Sequence, residues 1–586
     1  MRKFIPTLFL AIVFANNLYS QESESKVLVN HVGYDQYGEK KVVFQSTSKE
    51  KVQHFNVIDN TGKTVFKGTF KSGGKVDNWH TGNAYAGLFS ELENPGNYFI
   101  EVKFEGKKIK SSVFEIKQGQ FVDKSMALML QGLQSVHPAD KYEKWDANIS
   151  FYGDKKGKRD VHGGWYDASG DFSKYLSHLC YTNYMAPQQT PMVVYNLLVS
   201  ANNISEKYKD LSKEMIKESA WGADFLVRMQ DEDGYFYTIV FDNWTKDETV
   251  REICAYETSA GNRTTDYKAA FREGAGISIA ALARLSAENV SGEFSSDIYL
   301  EKAEKGFAHL MDHNKEYCDD HQENIIDDYT ALMAATELYV ATQNKKYMSH
   351  ARFRAQNLVD RISEDENYKG WFRADDSGNH PYFHAAEAGY PLIALSRYLD
   401  IEKDDSKRNN AIEAIRKSVA FELYITQEVN NPFGYPRQYV KAIDEESKRG
   451  SFFIPHNNES GYWYQGENAR LASLAAGFNY SKKYMLDAQQ KEVNSFVQNQ
   501  INWILGLNPY DMSMLDGLGR NNPEYLEPHN WNYKGGIANG ITAGVTDESD
   551  IAFLPKPQDQ DPAQRWRWPE QWIPHVGWFM LAVSSK

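Results

Sequence analysis

The sequence predicts a mainly α protein in which a small β-sandwich precedes a large helical barrel. Short β-rich runs separated by turn signals fill residues 25–116, which is typical of an all-β sandwich of this size. From residue 120 to residue 586 the apolar residues instead recur at helical spacing. Some of these helical segments are Ala-rich on all sides and others are amphipathic, and such an alternation favours two concentric rings of helices.

Each predicted strand and helix corresponds to a separate run of residues. The β-rich runs are KVLVNHVGY, KKVVFQS, QHFNVIDN, TVFKGTF, YAGLFSEL, NYFIEVKFEG and SSVFEI. The clearest helical runs are EMIKESAWGADFLVRMQDEDG, which stops at Gly234, and YKAAFREGAGISIAALARLSAEN, IYLEKAEKGFAHLMDHNK, DYTALMAATELYVATQ, YMSHARFRAQNLVDRI, YPLIALSRYLD, ARLASLAAGFNY and KEVNSFVQNQINWILG. A helical solenoid would also explain the second set, but no regular repeat period is present.

Residues 1–20, MRKFIPTLFLAIVFANNLYS, have the pattern of a cleavable signal peptide ending at Ser20. Their apolar run is too short for a permanent membrane span, and no cysteine lies near the cleavage point to carry a lipid anchor. Removing them takes away two positive charges and changes the net charge from −14 to −16. We therefore expect a secreted or periplasmic protein that neither inserts into membranes nor binds nucleic acid.

The composition is that of a soluble globular protein with many aromatic side chains. The chain has 13 Trp, 36 Tyr and 31 Phe. Most of these rings should serve the core, but an aromatic-lined cleft for flat or sugar-like ligands is a second interpretation. Cys180, Cys254 and Cys318 show neither zinc spacing nor a disulfide framework. The sequence also has no P-loop, HExxH or dinucleotide-binding motif.

Two aspartates, Asp167 and Asp171, stand in the glycine-rich stretch HGGWYDASGDFSKY. An Asx-turn or a helix cap would explain two acids in such a loop, and so would a site where carboxylates meet a substrate. Long polar and aromatic segments elsewhere, such as FFIPHNNESGYWYQGEN and RNNPEYLEPHNWNYKGG, have the composition of functional loops.

Several of these stretches together resemble glycoside hydrolase family 9. GGWYDASGD is similar to the family's Gly-Gly-Trp-x-Asp-Ala-Gly-Asp motif, and ILGLNPYDMSMLDGLGRNNPEYLEPHNW to its Leu-Gly-x-Asn-Pro and Pro-His segments. VLVNHVGYDQYGEKKVVF resembles the immunoglobulin-like module that precedes the barrel in one branch of the family. The resemblance covers residues 26–586 and implies an (α/α)6 barrel and inverting cleavage of glycosidic bonds.

The resemblance also implies roles for the acids. Inversion requires a carboxylate base and a carboxylic acid about 6.5–9.5 Å apart, on opposite faces of the sugar. Asp171 matches the family's general base and Asp167 its partner, although here three residues instead of two separate them. Glu570, in RWRWPEQW, matches the general acid, and apolar rings around it would raise its pKa. Its usual asparagine neighbours are absent.

Substrate contacts are expected from a histidine and from aromatic rings. His529, in EPHNW, matches a histidine that contacts the sugar in the family, and the candidate stacking rings are Trp165, Trp463, Tyr464, Trp566 and Trp568. No cofactor is required by this chemistry. Structural calcium could bind at the acidic stretches CDDHQEN and IIDDYT, although solvated helix starts would explain these as well.

Three functions fit the sequence. The first is an endo-β-1,4-glucanase acting on cellulose-like or substituted β-glucans. The second is an exo-acting relative, such as a β-glucosidase, glucosaminidase or cellobiohydrolase. The third is a carbohydrate-binding protein on a barrel that no longer cleaves. The sequence leaves these alternatives open.

Overall fold

The N-terminal segment folds into two packed β-sheets in the computed structural model, which describes residues 24–586 apart from 72, 526–530 and 557. One sheet has the strand order β1-β3-β7-β6, and the other has the order β2-β10-β8-β4-β5 with β9 paired to β8. The strands are β1 Ser25–Leu28, β2 Tyr34–Asp35, β3 Lys41–Ser46, β4 His54–Asp59, β5 Thr64–Thr69, β6 Gly74–Lys75, β7 Asn83–Leu88, β8 Gly96–Phe104, β9 Lys107–Lys110 and β10 Phe114–Lys117.

The two sheets enclose one apolar core, as the alternating pattern of the strands predicts. Phe55 lies at its centre, and its ring approaches Gly68 and Gly87 so closely that a Cβ atom at either glycine would be within 2.4 Å of it. The predicted β-sandwich is therefore confirmed. The predicted signal peptide, residues 1–20, lies outside the described residues.

The remainder of the chain is mainly helical. The helices are α1 Ala127–Ser135, α2 Asp140–Asp146, α3 Thr190–Ile204, α4 Lys209–Arg228, α5 Ala275–Ala287, α6 Ser296–Tyr317, α7 Ile325–Thr342, α8 Lys345–Asp360, α9 Tyr390–Ile401, α10 Asp405–Gln427, α11 Asn468–Ser481, α12 Asp487–Ile504, α13 Pro562–Arg565 and α14 Ile573–Ser584. Among the described residues, no helix is long and apolar enough to cross a membrane.

Six of these helices form a closed inner ring. Helices α3, α5, α7, α9, α11 and α14 each contact the next, and α14 returns to α3. They are buried on nearly all sides, in keeping with their Ala-rich sequences. Helices α1, α4, α6, α8, α10 and α12 pack outside them and are more polar on one face. This is the (α/α)6 barrel that the resemblance implies, and it confirms the predicted fold class.

Short strands in the loops complete the fold. A four-stranded sheet of the order β13-β14-β15-β16 lies beside the loop that carries the two aspartates, and the other pairs are β11-β12, β17-β18, β19-β20 and β21-β22. Their bounds are β11 Ile149–Ser150, β12 Lys158–Arg159, β13 Lys174–Tyr175, β14 Ile239–Phe241, β15 Glu252–Glu257, β16 Asn262–Thr264, β17 Ile362–Glu364, β18 Lys369–Phe372, β19 Gln438–Val440, β20 Arg449–Ser451, β21 Thr542–Gly544 and β22 Asp547–Ala552.

The β-module docks on the barrel through a buried tryptophan. Trp79, in the connection between β6 and β7, is fully buried. Its ring lies 4.9 Å from that of Phe452 and 6.1 Å from that of Trp503. Nearby, the His31 Nε2 atom lies 2.9 Å from the Asp511 carboxylate. The module is thus joined to the barrel by a shared apolar core and by polar contacts.

Candidate active site

The loops that precede the inner helices meet at one end of the barrel. Asp167 and Asp171 lie ahead of α3, Trp463 lies ahead of α11, and Glu570 lies three residues before α14 begins. Because successive inner helices run in the same direction, their N-terminal ends face this region together. The positive ends of their dipoles favour negative charge there.

A buried group of charged side chains supports the aspartate loop from below. The Lys174 Nζ atom lies 2.6 Å from the Asp146 carboxylate and donates to the Gly163 carbonyl at 2.9 Å. Arg251 binds both oxygens of Asp146, at 2.7 and 3.0 Å, and donates to the Phe172 carbonyl. All three charges are paired and hydrogen-bonded, which buried charges require. The backbone on both sides of the two aspartates is therefore held in place.

Asp171 is held by three donors. Its Oδ1 atom accepts from the Ser173 amide at 2.8 Å. Its Oδ2 atom accepts from the Tyr175 hydroxyl at 2.8 Å and from the Trp244 indole at 3.1 Å. Burial and the nearby Asp167 carboxylate raise the pKa of Asp171, while the donors favour its ionised form. The carboxylate is thus fixed in orientation and remains basic.

Asp167 lies beside it and is fixed from two other directions. Its Oδ1 atom accepts from the Gln189 side-chain amide and, at 2.9 Å, from the Trp572 indole. Its Oδ2 atom is 3.6 Å from Nδ1 of His178. The backbone amide of Ile573 donates to the Asp167 carbonyl at 3.1 Å. Asp167 therefore joins the aspartate loop to the segment that carries Glu570.

Glu570 lies in a different electrostatic environment. Burial and then the charges of Asp167 and Asp171 raise its pKa well above 4.5, and a hydrogen bond with Asn539 opposes this only partly. Its backbone carbonyl accepts from the Asn539 amide at 2.6 Å. These surroundings favour the protonated form of the carboxyl group, which a general acid needs.

The three acids line one cavity of about 800 Å³. The same wall carries aromatic and polar side chains, namely His178, Trp244, Thr245, Lys246, Ser259, Tyr462, Trp463, Gln465, Tyr525, Gln564, Trp566, Arg567 and Trp572. The volume is in the range of small-molecule and oligosaccharide-sized pockets, roughly 300–1,000 Å³. A cavity with aromatic walls and three carboxyl groups can hold a sugar and supply acid and base to it.

The structure brings some of the predicted residues together and separates others. Asp167, Asp171, Glu570, Trp463 and Trp566 all line the cavity. The remaining predicted rings pack within the protein, away from the wall that the described residues form. The histidine predicted to contact the sugar, at position 529, lies outside the described residues.

Trp165 is one of the rings that pack elsewhere. It is fully buried, its indole donates to Glu218 at 2.8 Å, and its ring fills the space above Gly222 of α4. Tyr464 stacks between the His456 ring, at 3.8 Å, and the Arg567 guanidinium, at 3.7 Å. These contacts, made for packing and charge, leave no open ring face for a sugar.

Trp568 is also fully buried, and its carbonyl accepts from the Gly540 amide at 2.8 Å. In place of these rings, the wall contains Trp244 and Trp572, which sequence reasoning missed. Trp572 stands two residues after Glu570, and Trp244 lies in a long polar and aromatic loop between helices. The position beside Glu570 could have marked Trp572, and the composition of its loop could have marked Trp244.

Metal binding can be assessed from the arrangement of ligand atoms. Among the described residues, Asp167, Asp171 and His178 offer ligand atoms that lie within 4.8 Å of one another and could hold an ion. The acidic stretches considered for calcium instead contact arginines: Asp328 lies 2.7 Å from Arg361. Structural calcium stays a prediction.

Comparison with known proteins agrees with this arrangement. A family model described as glycosyl hydrolase family 9 matches residues 122–549. A model described as the cellulase N-terminal ig-like domain matches residues 22–107. The first of these covers more than half of the chain, while a search of curated proteins found no match.

Solved structures share the fold at low sequence identity. A metagenome-derived family 9 endoglucanase aligns with a TM-score of 0.64 at 17% identity, over 96% of this chain and 98% of that one. A Bacteroides ovatus family 9 protein aligns with a TM-score of 0.62 at 18% identity, over 95% of this chain and 98% of that one. The family 9 endoglucanase J30 aligns with a TM-score of 0.62 at 16% identity, over 94% of this chain and 99% of that one. Taken with the family model, these findings show that the chain belongs to glycosyl hydrolase family 9.

Proposed function

We propose that the protein is a secreted, inverting endo-β-1,4-glucanase that acts on cellulose-like or substituted β-glucans. The observation that supports this most is the contrast between the acids in one cavity. Hydrogen-bond donors hold both oxygens of Asp171 in place, whereas Glu570 has no such set of donors among the described residues and its pKa is raised by burial and by the two aspartates. Two solved structures of the same fold are described as family 9 endoglucanases.

In this proposal Asp171 deprotonates the attacking water. The donors from Tyr175 and Trp244 keep its carboxylate oriented while a water molecule between it and Asp167 attacks the anomeric carbon. Glu570 transfers its proton to the leaving glycosidic oxygen, and the bond to that oxygen breaks. The product carries the anomeric configuration opposite to that of the substrate, because water attacks the face away from the leaving group.

The aromatic wall supports a sugar substrate. Trp463, Trp566 and Trp244 line the cavity together with the acids. Flat aromatic faces bind the apolar faces of pyranose rings, and the indole N–H groups at the edges can bond hydroxyls or carboxylates. The acidic overall charge, −14 for the whole chain, suits a neutral polysaccharide rather than a polyanion.

One observation favours the exo-acting alternative. The cavity volume of about 800 Å³ suits a short oligosaccharide more than a long open groove. An exo-acting enzyme would release mono- or disaccharides from chain ends and leave the viscosity of a glucan solution nearly unchanged. An endo-acting enzyme would lower the viscosity quickly while releasing little reducing sugar.

The proposal is tested with purified protein on a panel of soluble β-glucans. Reducing-sugar release and viscosity are followed for the wild type and for Asp171→Asn. We expect release by the wild type on at least one β-1,4-glucan and a rapid loss of viscosity. Binding of glucan without any release by the wild type would overturn the catalytic proposal and favour a carbohydrate-binding protein.

A further inference from the structure

The additional residue between the two aspartates occupies a tight turn. Ala168 and Asp171 pair with each other as an antiparallel bridge, and the chain turns through Ser169 and Gly170. Gly170 has a φ of +112°, a value that glycine adopts without strain. The turn accommodates the third spacer residue, and carboxylate oxygens of Asp167 and Asp171 still lie within 4.8 Å of each other.

Ser169 makes two hydrogen bonds to the backbone of a single residue. Its amide donates to the carbonyl of Gln571 at 2.8 Å, and its Oγ atom accepts from the amide of Gln571 at 2.8 Å. The Oγ hydroxyl in turn donates to Asn532 at 3.3 Å. Only 1% of Ser169 is exposed, so water cannot easily replace these bonds.

Gln571 directly follows Glu570, so these bonds fix the chain beside the candidate acid. On the other side of Ser169, Ala168 pairs with Trp572. The Gln571 side chain is itself held by the Tyr533 backbone, at 2.7 and 3.0 Å. The aspartate turn and the glutamate segment thus form a short two-stranded contact across some four hundred residues of sequence.

We propose that Ser169 is a positioning residue that sets the placement of Glu570 relative to Asp167 and Asp171. The inference rests on the proposed function, because the groups that Ser169 positions are the acid and the base of that function. Ser169 itself takes no part in the chemistry. A two-residue spacer would lack the residue whose amide and hydroxyl reach Gln571. The insertion therefore supplies a direct link between the acid and the base sides of the site.

The test compares Ser169→Ala, which keeps the amide and removes Oγ, with Ser169→Thr, which keeps a hydroxyl. We expect kcat on a β-glucan to fall roughly 10- to 100-fold in Ser169→Ala with KM nearly unchanged, because small misplacements of a reacting group cost that much. Ser169→Thr should restore most of the loss. The alkaline limb of the pH profile should move to lower pH in Ser169→Ala, since a loosened Glu570 is better solvated.

The matched control is Ser219→Ala on α4. Ser219 is also fully buried, and its hydroxyl donates to the Val194 carbonyl at 2.8 Å, between two helices and away from the cavity wall. This variant should lose thermal stability like Ser169→Ala while its kcat and pH profile stay those of the wild type.

A double-mutant cycle identifies the acid as the group that Ser169 positions. In a Glu570→Gln background, Ser169→Ala should lower kcat by less than about 2-fold, because the effect it would transmit is already lost. An undiminished effect in that background would overturn the proposal, and so would a Ser169→Ala variant that loses only stability. Ser169→Gly serves as a second variant lacking Oγ, and failure of both to fold would mark the residue as structural.

The failure of this inference is distinguishable from failure of the proposed function. An inactive wild type on every glucan contradicts the function. If the wild type is active, Asp171→Asn abolishes that activity and Ser169→Ala leaves it unchanged, only the positioning role is contradicted.

Discussion

The two sides of the site differ in how the protein holds their carboxyl groups. Asp171 accepts hydrogen bonds from an amide, a hydroxyl and an indole, and Asp167 accepts from an amide and an indole. Glu570 lies in the same cavity with an Asn539 contact, opposite the two negative charges. On one side hydrogen-bond donors fix the carboxylates, and on the other side burial and two nearby negative charges favour the protonated form of Glu570.

This difference shows how one loop region can provide both an acid and a base. The identity of the side chains is nearly the same on the two sides, so the donors and the charges around them must assign the roles. Substitutions on each side should therefore have different consequences for catalysis.

Replacing Asp171 by asparagine should cause the largest loss. Without a base to take the proton from water, we expect kcat to fall about 10³-fold or more on every substrate, including aryl glycosides with good leaving groups. Initial rates by reducing-sugar and chromophore release measure this. Asp224→Asn is the control, because Asp224 also accepts from a tyrosine hydroxyl, at 2.6 Å, but lies on α4. A wild-type rate in the Asp171→Asn variant would contradict the assignment of Asp171 as the base.

Replacing Glu570 by glutamine should cause a loss that depends on the leaving group. On a β-glucan we expect kcat to fall about 10³-fold, since the leaving oxygen then departs unprotonated. On a dinitrophenyl glycoside the loss should be much smaller, because that leaving group needs little protonation. Equal losses on both substrates would contradict the role of Glu570 as acid and would remove the contrast with Asp171.

The pH profile of kcat/KM should be bell-shaped, and both of its limbs should lie at higher pH than ordinary carboxyl pKa values would give. Activity requires Asp171 ionised, so it is lost as pH falls through a pKa that burial and Asp167 raise above 3.8. Activity also requires Glu570 protonated, so it is lost as pH rises through a pKa well above 4.5. A profile with no alkaline limb up to pH 10 in the stable protein would contradict this assignment.

Replacing Trp244 by phenylalanine should cause a smaller loss, specific to the base. The ring is kept, but the indole donor to Asp171 is removed. Because that donor favours the ionised form, its loss raises the pKa of Asp171 and moves the acid limb to higher pH, with kcat lowered by about 10-fold.

The control for that change is Trp165→Phe, which removes a buried indole donor to Glu218 instead. It should lower the thermal stability without moving either limb of the pH profile. A shift of the acid limb in Trp165→Phe but not in Trp244→Phe would overturn the link between Trp244 and the base.

The smallest expected effect is on stability. A carboxyl group whose pKa is higher in the folded state than in the unfolded state makes the protein less stable as pH rises. The loss begins near the unfolded-state pKa and continues up to the folded-state pKa. Glu570→Gln should therefore raise the melting temperature more at pH 8 than at pH 5. Glu422→Gln on α10, where burial raises the pKa to about 7, should stabilise similarly without lowering activity. Calorimetry at both pH values measures this, and a lower melting temperature in Glu570→Gln would contradict it.

Much of the fold could be predicted from the sequence because its signals are local. Turn residues divide the β-module, and Ala-rich helices alternate with amphipathic ones, so periodicity alone predicts a sandwich and two rings. The number of helices in each ring did not follow from periodicity. It came from the resemblance, and the structure confirms it.

The site was predicted less completely because a ring's role depends on distant contacts. In the sequence Trp165 is the better candidate for the site, since it stands inside the motif and Trp244 lies in a later loop. Trp165 lies under the loop because Glu218 and Gly222, more than fifty residues later, provide a donor partner and space. Similarly, nothing in the stretch DASGD shows that Ser169 bonds to Gln571, about four hundred residues away.

The stereochemistry of the first product tests the central claim most directly. Proton NMR of the anomeric signals during the first minutes of hydrolysis of a β-1,4-glucan, before mutarotation, separates inversion from retention. We expect the α-anomer to form first, since Asp171 directs water to the face opposite Glu570. Initial formation of the β-anomer would contradict the assignment of the aspartates as the base side and Glu570 as the acid.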